Sequence, residues 1–121
     1  MITFDWAREV LTEIADALPR PIFNDLNGGV ILLPDIVHDG DGLLILGQYH
    51  VDPMGFGRYV TINYGSLTEA YGHLPPHIFE KKLKDVLCHE LLHHLESLSG
   101  ERSLEIQDEI DKARMLRGNH G

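Results

Sequence analysis

The stretch LKDVLCHELLHHLESL, residues 83–98, decides the fold and carries the most specific motif of the chain. Each residue of an α-helix advances by about 100°, so residues on one side of this stretch can be read from their spacing. One side is apolar, as a helix that packs on a core requires; it holds Leu83, Leu87, Leu91, Leu95 and Leu98. A separate side, spread over about 80°, holds Val86, His89, His93 and Glu96. The pattern predicts a long helix from about residue 77 to 98.

The motif His89-Glu90-Leu91-Leu92-His93 fits the H-E-x-x-H pattern, in which two histidines bind zinc and the glutamate is a general base. Residues four apart on a helix differ by about 40°, so His89 and His93 can bind one ion. Zinc accepts imidazole nitrogen and prefers tetrahedral coordination. Glu90 lies about 100° from His89, beside such an ion, where it can accept a proton from a metal-bound water. A surface helix that carries two histidines by chance is the alternative.

The rest of the chain predicts an α+β fold in one domain, residues 1–121. An amphipathic pattern indicates a helix at 4–18, and β-branched and aromatic runs separated by turn residues indicate strands. The predicted strands are 30–33, 43–51 and 59–64, a short helical turn is expected at 66–71, and a charged C-terminal helix at 103–116. The short connections allow a small mixed or antiparallel sheet of three to four strands.

The composition limits which classes of partner and which cellular compartment are expected. The formal net charge is −9, which gives no electrostatic footprint for a phosphate backbone and argues against nucleic acid. A metal cation or a basic peptide suits this charge better. Cys88 is the one cysteine, and its position near the leucines predicts a core residue. Without a signal-like or membrane-spanning segment, the expectation is a cytoplasmic protein with no membrane partner.

With these segments in this order, the chain resembles the small bacterial zincin-like metallopeptidase family. The resemblance rests on residues 29–34, 46–49 and 59–67, and above all on 89–96. It implies a minimal zincin-like fold with an N-terminal helix, the motif helix and a C-terminal helix, and one bound zinc ion. Many relatives look like H-E-x-x-H-H-F-G followed by Ser-Asp-Glu. Here Glu96 stands where that glycine would be.

The sequence leaves several candidates for the third zinc ligand. Catalytic zinc keeps three protein ligands and a water, and Ser99 stands where a metzincin has its third histidine. Glu101 follows a glycine at which the chain can reverse, and matching this region to the family's Ser-Asp-Glu-Arg run also favours Glu101. Glu105 and Asp108, on the predicted last helix, rank next. For each of the three, a solvated acidic surface is the alternative.

The resulting expectation is a zinc-dependent metallopeptidase-like hydrolase that acts on a peptide or protein. His89, His93 and Glu101 hold the zinc ion, and Glu90 moves a proton from the activated water to the leaving amine. One alternative is a metal-binding domain without significant protease activity. Another is a non-peptide metal-dependent hydrolase, against which the missing third histidine and the net charge argue. The last is a metal-free structural domain.

Three neighbouring features carry weaker expectations. Glu96 either orients an imidazole N–H or is an exposed residue at the helix end. His94 points about 100° away from His93, which indicates a packing or surface histidine. The segment 43–51 could be an edge strand that binds an extended peptide, although an ordinary hairpin is favoured.

Overall fold

The computed structural model describes residues 2–99, which form an α+β fold. The elements, in order, are α1 (Phe4–Ala17), a 3₁₀ helix (Arg20–Phe23), β1 (Gly29–Leu33), β2 (Gly47–Asp52), β3 (Gly57–Asn63), α2 (Tyr64–Tyr71) and α3 (Pro76–Ser99). The expected three-stranded sheet and N-terminal helix are therefore present. The predicted C-terminal helix and the candidate ligands Glu101, Glu105 and Asp108 lie outside the described residues.

Helix α1 begins after a threonine that caps its first turn. The Thr3 hydroxyl accepts a hydrogen bond from the Trp6 backbone N–H at 3.1 Å, which satisfies one of the free amides of the first turn. The apolar side of α1 is buried, and the helix packs against α3. The helix ends before Leu18, because Pro19 disfavours the helical conformation at the preceding residue.

The sheet is mixed, with strand order β1-β3-β2. β1 is parallel to the central strand β3, whereas β2 pairs with β3 as an antiparallel hairpin. Gly47 lies opposite Ile62, and Asp52 lies opposite Gly57. This order leaves β2 at one edge of the sheet, which becomes important for the site.

β2 begins later than the sequence predicts, because residues 43–45 pair with the preceding loop at residues 37–39 instead of joining the sheet. The Ile45 amide donates to the Val37 carbonyl at 2.8 Å. The Asp39 carboxylate accepts from the Leu43 amide at 3.0 Å and closes the turn. Within this apolar run, Leu43 is 67% exposed, whereas Leu46 packs against the core. Similarly, Tyr64 begins α2 and does not extend β3.

Helix α3 confirms the predicted division into two sides. The five leucines of its apolar side are each at most 1% exposed, and Cys88 is 2% exposed, as expected for a core residue. The helix packs against β2, β3 and α1. His89 and His93 lie on the solvent side of the same helix. Within residues 2–99, no helix is both long and apolar enough to cross a bilayer.

Candidate active-site cleft

An open cleft of about 770 Å³ runs between α3 and the edge strand β2. The two histidines predicted as zinc ligands and the predicted base lie on its α3 wall. That wall is formed by His89, Glu90, His93, Glu96 and Ser97, and the β2 wall by Gly47, Gln48, Tyr49 and Val51. The fold therefore brings the H-E-x-x-H residues together beside an exposed strand edge.

The two histidines of the motif face each other across one helical turn. Their Nε2 atoms are 3.1 Å apart, and both residues are exposed. A tetrahedral zinc ion with Zn–N bonds of about 2.0–2.1 Å places two nitrogen ligands about 3.3–3.4 Å apart. The observed spacing is therefore close to that of two ligands of one ion. The same spacing suits a hydrogen bond between the two rings.

The described residues supply two of the three ligands that a catalytic zinc site needs. No group of three or more His, Cys, Asp or Glu side chains within residues 2–99 is arranged to hold a metal ion. Of the acidic residues expected as third ligand, all three are outside this range. The spacing of His89 and His93 is therefore compatible with two ligands of one ion, and the zinc site itself stays a prediction.

Glu90 lies on the cleft wall but is only 7% exposed. Burial raises the pKa of its carboxyl above the usual range, and the neighbouring His93 partly counteracts this by lowering it. A carboxyl whose pKa moves toward neutrality is better suited to exchange protons near neutral pH. Shifted carboxyl groups in clefts are typical of functional sites, although structural groups show them too.

Gly47 allows β2 to approach α3 closely beside Glu90. A Cβ atom at this position would lie 2.8 Å from Val86 Cγ1 and 3.2 Å from Glu90 Cγ. Real Cβ atoms do not make contacts as short as the first, so the position has space only for glycine. Because residue 47 has no side chain, β2 can lie directly against the turn of α3 that holds Val86 and Glu90.

The backbone of β2 presents hydrogen-bonding groups to the open edge. The Asn63 amide donates to the Leu46 carbonyl at 2.9 Å, and hydrogen-bonded pairs then alternate along the antiparallel ladder. By this alternation the N–H and C=O groups of Gly47, Tyr49 and Val51 point away from β3. All three of these residues line the cleft.

His94, next to the motif, is fully buried and belongs to a hydrogen-bonded chain. Its Nε2 lies 2.7 Å from the Asn24 carbonyl oxygen, which can only accept, so Nε2 carries the proton. Burial lowers the pKa of His94; the Arg58 charge also lowers it, while the Asn24 hydrogen bond and Asp25 raise it. In the neutral ring, Nδ1 accepts from the Tyr49 hydroxyl at 2.9 Å.

The same chain continues to β3 and returns to α3. Arg58 Nη1 donates to the Tyr49 hydroxyl oxygen at 3.0 Å and to the Ser97 hydroxyl oxygen. Sequence reasoning did not find Tyr49 or Arg58. The position of His94 around the helix axis does indicate such partners. It places the polar ring among the buried leucines of α3, and a buried polar group needs hydrogen-bond partners.

Two further expectations can be compared with the structure. Glu96 is exposed, and its carboxylate makes no hydrogen bond or ion pair with another residue in the described part, which favours the exposed-residue interpretation. His50 lies on the sheet face opposite the cleft, where it bonds Thr61 at 2.8 Å and stacks on Tyr59. For the segment predicted at 43–51, the structure shows that β2 forms an antiparallel hairpin with β3, as favoured, and that β2 is also the edge strand beside the cleft.

The chain is similar to a solved structure. That structure is of a conserved hypothetical protein from Thermus thermophilus, 28% identical to this chain, with a TM-score of 0.70. The match covers 83% of this chain and all of the other. No protein-family model and no curated protein matches the chain. The similarity supports the small α+β fold, and the neighbour's name states no activity.

Replacing Gly47 with alanine tests the close approach of β2 to α3. We expect the free energy of unfolding to fall by about 1–3 kcal/mol, because the new methyl group overlaps Val86 and presses on Glu90. Urea denaturation measures the change. Gly40→Ala is the matched control, since nothing lies within 4 Å of a Cβ there. Equal stability of the two variants would contradict the close approach.

His94→Phe tests the buried histidine. At pH 7.5 we expect a loss of about 1–3 kcal/mol, since the Asn24 carbonyl and Tyr49 hydroxyl lose their partner. Because the folded-state pKa is lowered, the unfolded chain binds the extra proton more readily below about pH 6.5. The stabilisation by His94 is therefore present above that pH and declines as the pH falls further.

The loss caused by His94→Phe should accordingly be smaller at pH 5.5 than at pH 7.5. Urea denaturation of chelator-treated protein at both pH values measures it. His77→Phe, at an exposed position of α3, controls for removal of a histidine from the same helix. A loss for His94→Phe that is constant or grows toward low pH would show that the ring is not held neutral.

Proposed function

We propose that this chain is a zinc-dependent hydrolase of the metallopeptidase type. The observation that carries the proposal is the pair of exposed imidazole nitrogens, 3.1 Å apart, beside a buried carboxyl on the wall of an open cleft. The resemblance to the small bacterial zincin-like metallopeptidases, which rests on the H-E-x-x-H segment and the order of the strands, supports the same conclusion.

His89 and His93 are the residues that would hold the ion, through their Nε2 atoms. Bound zinc supplies a Lewis acid for a carbonyl group and lowers the pKa of a water molecule. Glu101 is our first choice for the third ligand, followed by Glu105 and Asp108. The donor set of two imidazoles and one carboxylate is one that catalytic zinc sites use.

Glu90 is the general base in this proposal. Its carboxylate accepts a proton from water in the cleft and then donates that proton to the departing amine. The raised pKa of its carboxyl suits both steps, since a group of this kind must bind and release one proton in each turnover. Gly47 contributes by letting Glu90 remain against the strand while its carboxyl borders the cleft.

The edge strand favours a peptide as the substrate. Gly47, Tyr49 and Val51 direct backbone N–H and C=O groups outward, and an extended peptide can pair with such an edge as an added strand. A peptide bound in this way passes along the wall opposite His89 and His93. The net charge of −9 favours substrates that are neutral or basic.

Three alternatives remain as outcomes of the tests. A metal-binding domain without significant protease activity would bind zinc and show no turnover. A hydrogen-bonded histidine pair in a metal-free structural domain would show neither. A non-peptide hydrolase would bind zinc and act on other bonds, but the acidic charge argues against nucleic acid as its substrate.

Zinc content tests the site directly. We expect about one zinc ion per chain in the purified protein. In His89→Ala and Glu101→Ala, zinc affinity should fall by more than the roughly 10- to 100-fold that loss of an outer hydrogen-bonding partner causes. Elemental analysis and chelator competition provide the values. His77→Ala, which removes an exposed histidine from the same helix, should keep its zinc.

Wild-type protein without stoichiometric zinc would refute the proposal. Zinc that is retained in Glu101→Ala would instead assign the third ligand to another residue. The same measurement on Glu105→Ala and Asp108→Ala would then identify it.

Glu90→Gln tests the base. We expect hydrolysis of an internally quenched peptide library to fall by about 100- to 10,000-fold, while zinc content stays unchanged because Glu90 is not a ligand. Glu80→Gln makes the same chemical change at an exposed position of α3 and should keep full activity. Activity of Glu90→Gln equal to wild type would exclude Glu90 as the base.

A further inference from the structure

A group of four side chains ties the edge strand to the helix at the far end of the cleft from Gly47. We call Tyr49, Arg58, His94 and Ser97 the clamp. Tyr49 bonds His94, and Arg58 bonds both Tyr49 and Ser97. Each of these bonds joins the β2–β3 hairpin to α3 or joins the two strands of the hairpin to each other.

The clamp residues form one pair on α3 and one pair on the β2–β3 hairpin, and the members of each pair are neighbours on one face. His94 and Ser97 are three residues apart, so they lie on neighbouring turns of one side of α3. Val51 is the cross-strand partner of Arg58, which makes Tyr49 its diagonal neighbour on the same sheet face. Two residues of the hairpin thus meet two residues of the helix.

The spacing between β2 and α3 is therefore fixed at two points. At Gly47 the strand lies so close to the helix that an added Cβ atom would be 2.8 Å from Val86 Cγ1. Two residues further along β2, directional hydrogen bonds hold them at the clamp. The cleft lies between these same two walls, so movement of the hairpin away from α3 would widen it.

The Tyr49 hydroxyl is fully used within the protein. It donates to His94 Nδ1 and accepts from Arg58 Nη1. A phenol oxygen that already donates its proton and accepts a charged donor is not a candidate for proton transfer to a substrate. Its contribution to a reaction in the cleft must be through position.

We propose that Tyr49 and Arg58 are positioning residues that set the width of the cleft by holding β2 against α3. The consequence for substrate binding rests on the proposed function, because it assumes that a peptide enters the cleft along β2. The mechanical part of the proposal does not depend on zinc or on activity.

Distances across the cleft test the mechanical part. Spin labels at Met54, on the exposed hairpin tip, and at Lys81, on the exposed side of α3, report the spacing by double electron–electron resonance. Cys88 is replaced by alanine in all samples, so that only the introduced thiols react. In Tyr49→Phe the distance distribution should broaden, while a Thr12–Lys81 pair should be unchanged.

Tyr64→Phe is the matched control for this experiment. It removes a tyrosine hydroxyl that donates to the Ile2 carbonyl, outside the clamp, and should leave the Met54–Lys81 distribution as in wild type. An unchanged distribution in Tyr49→Phe would overturn the proposal. Equal broadening of both label pairs would also overturn it, because it would indicate general loosening of the fold.

Kinetics with the internally quenched peptide library test the consequence for binding. Loss of the two hydrogen bonds in Tyr49→Phe should raise KM by about three- to tenfold, with kcat and zinc content unchanged. Arg58→Met should also raise KM, and Arg58→Lys, which keeps a donor and the charge, should raise KM less. A fall in kcat with unchanged KM would contradict a positioning role.

The two proposals fail in different ways. Wild-type protein without zinc or turnover would refute the hydrolase, and the spin-label distances would still decide on the clamp. Zinc-dependent turnover in wild type together with unchanged KM and distances in Tyr49→Phe would refute the clamp alone.

Discussion

The leucine side of α3 is the constraint on which the rest of the structure depends. Its five leucines are almost completely buried against the sheet and α1, and at about 25 cal/mol per Å² they make a large part of the apolar stabilisation. Burying this side fixes the rotation of the helix about its axis. Since His89 and His93 lie on another side, their exposure in the cleft follows from the packing of the core.

The position of β2, which faces α3 across the cleft, depends on a few local contacts. Gly47 brings β2 against α3, and the clamp holds the next turn of the helix to the hairpin. The buried ring of His94 is compatible with the core only because both of its nitrogens have partners. The clamp residues thus hold β2, one wall of the cleft, and at the same time provide the partners that allow His94 of α3 to be buried.

Local patterns predict the elements that pack through one periodic side. The approximate bounds of α1 and α3, the burial of Cys88 and the two sides of α3 all follow from spacing along the chain. The late start of β2 does not, because residues 43–46 are apolar in either conformation and a contact with Val37 decides between them. Tyr49 and His94 are 45 positions apart, and no local pattern connects them.

The burial of Glu90 is the observation that favours the proposed hydrolase over a structural domain. A hydrogen bond between His89 and His93 accounts for their spacing, but it gives no reason for an acidic side chain that is only 7% exposed at residue 90. Burying a carboxyl is unfavourable, and stability alone would place an apolar residue there. Sites that depart from the pattern favoured by packing are commonly those with a function. In this chain the departure adjoins two exposed imidazoles and the open edge of a strand. In the proposed hydrolase, this combination would make Glu90 the general base. A structural domain would give the buried carboxyl no such role.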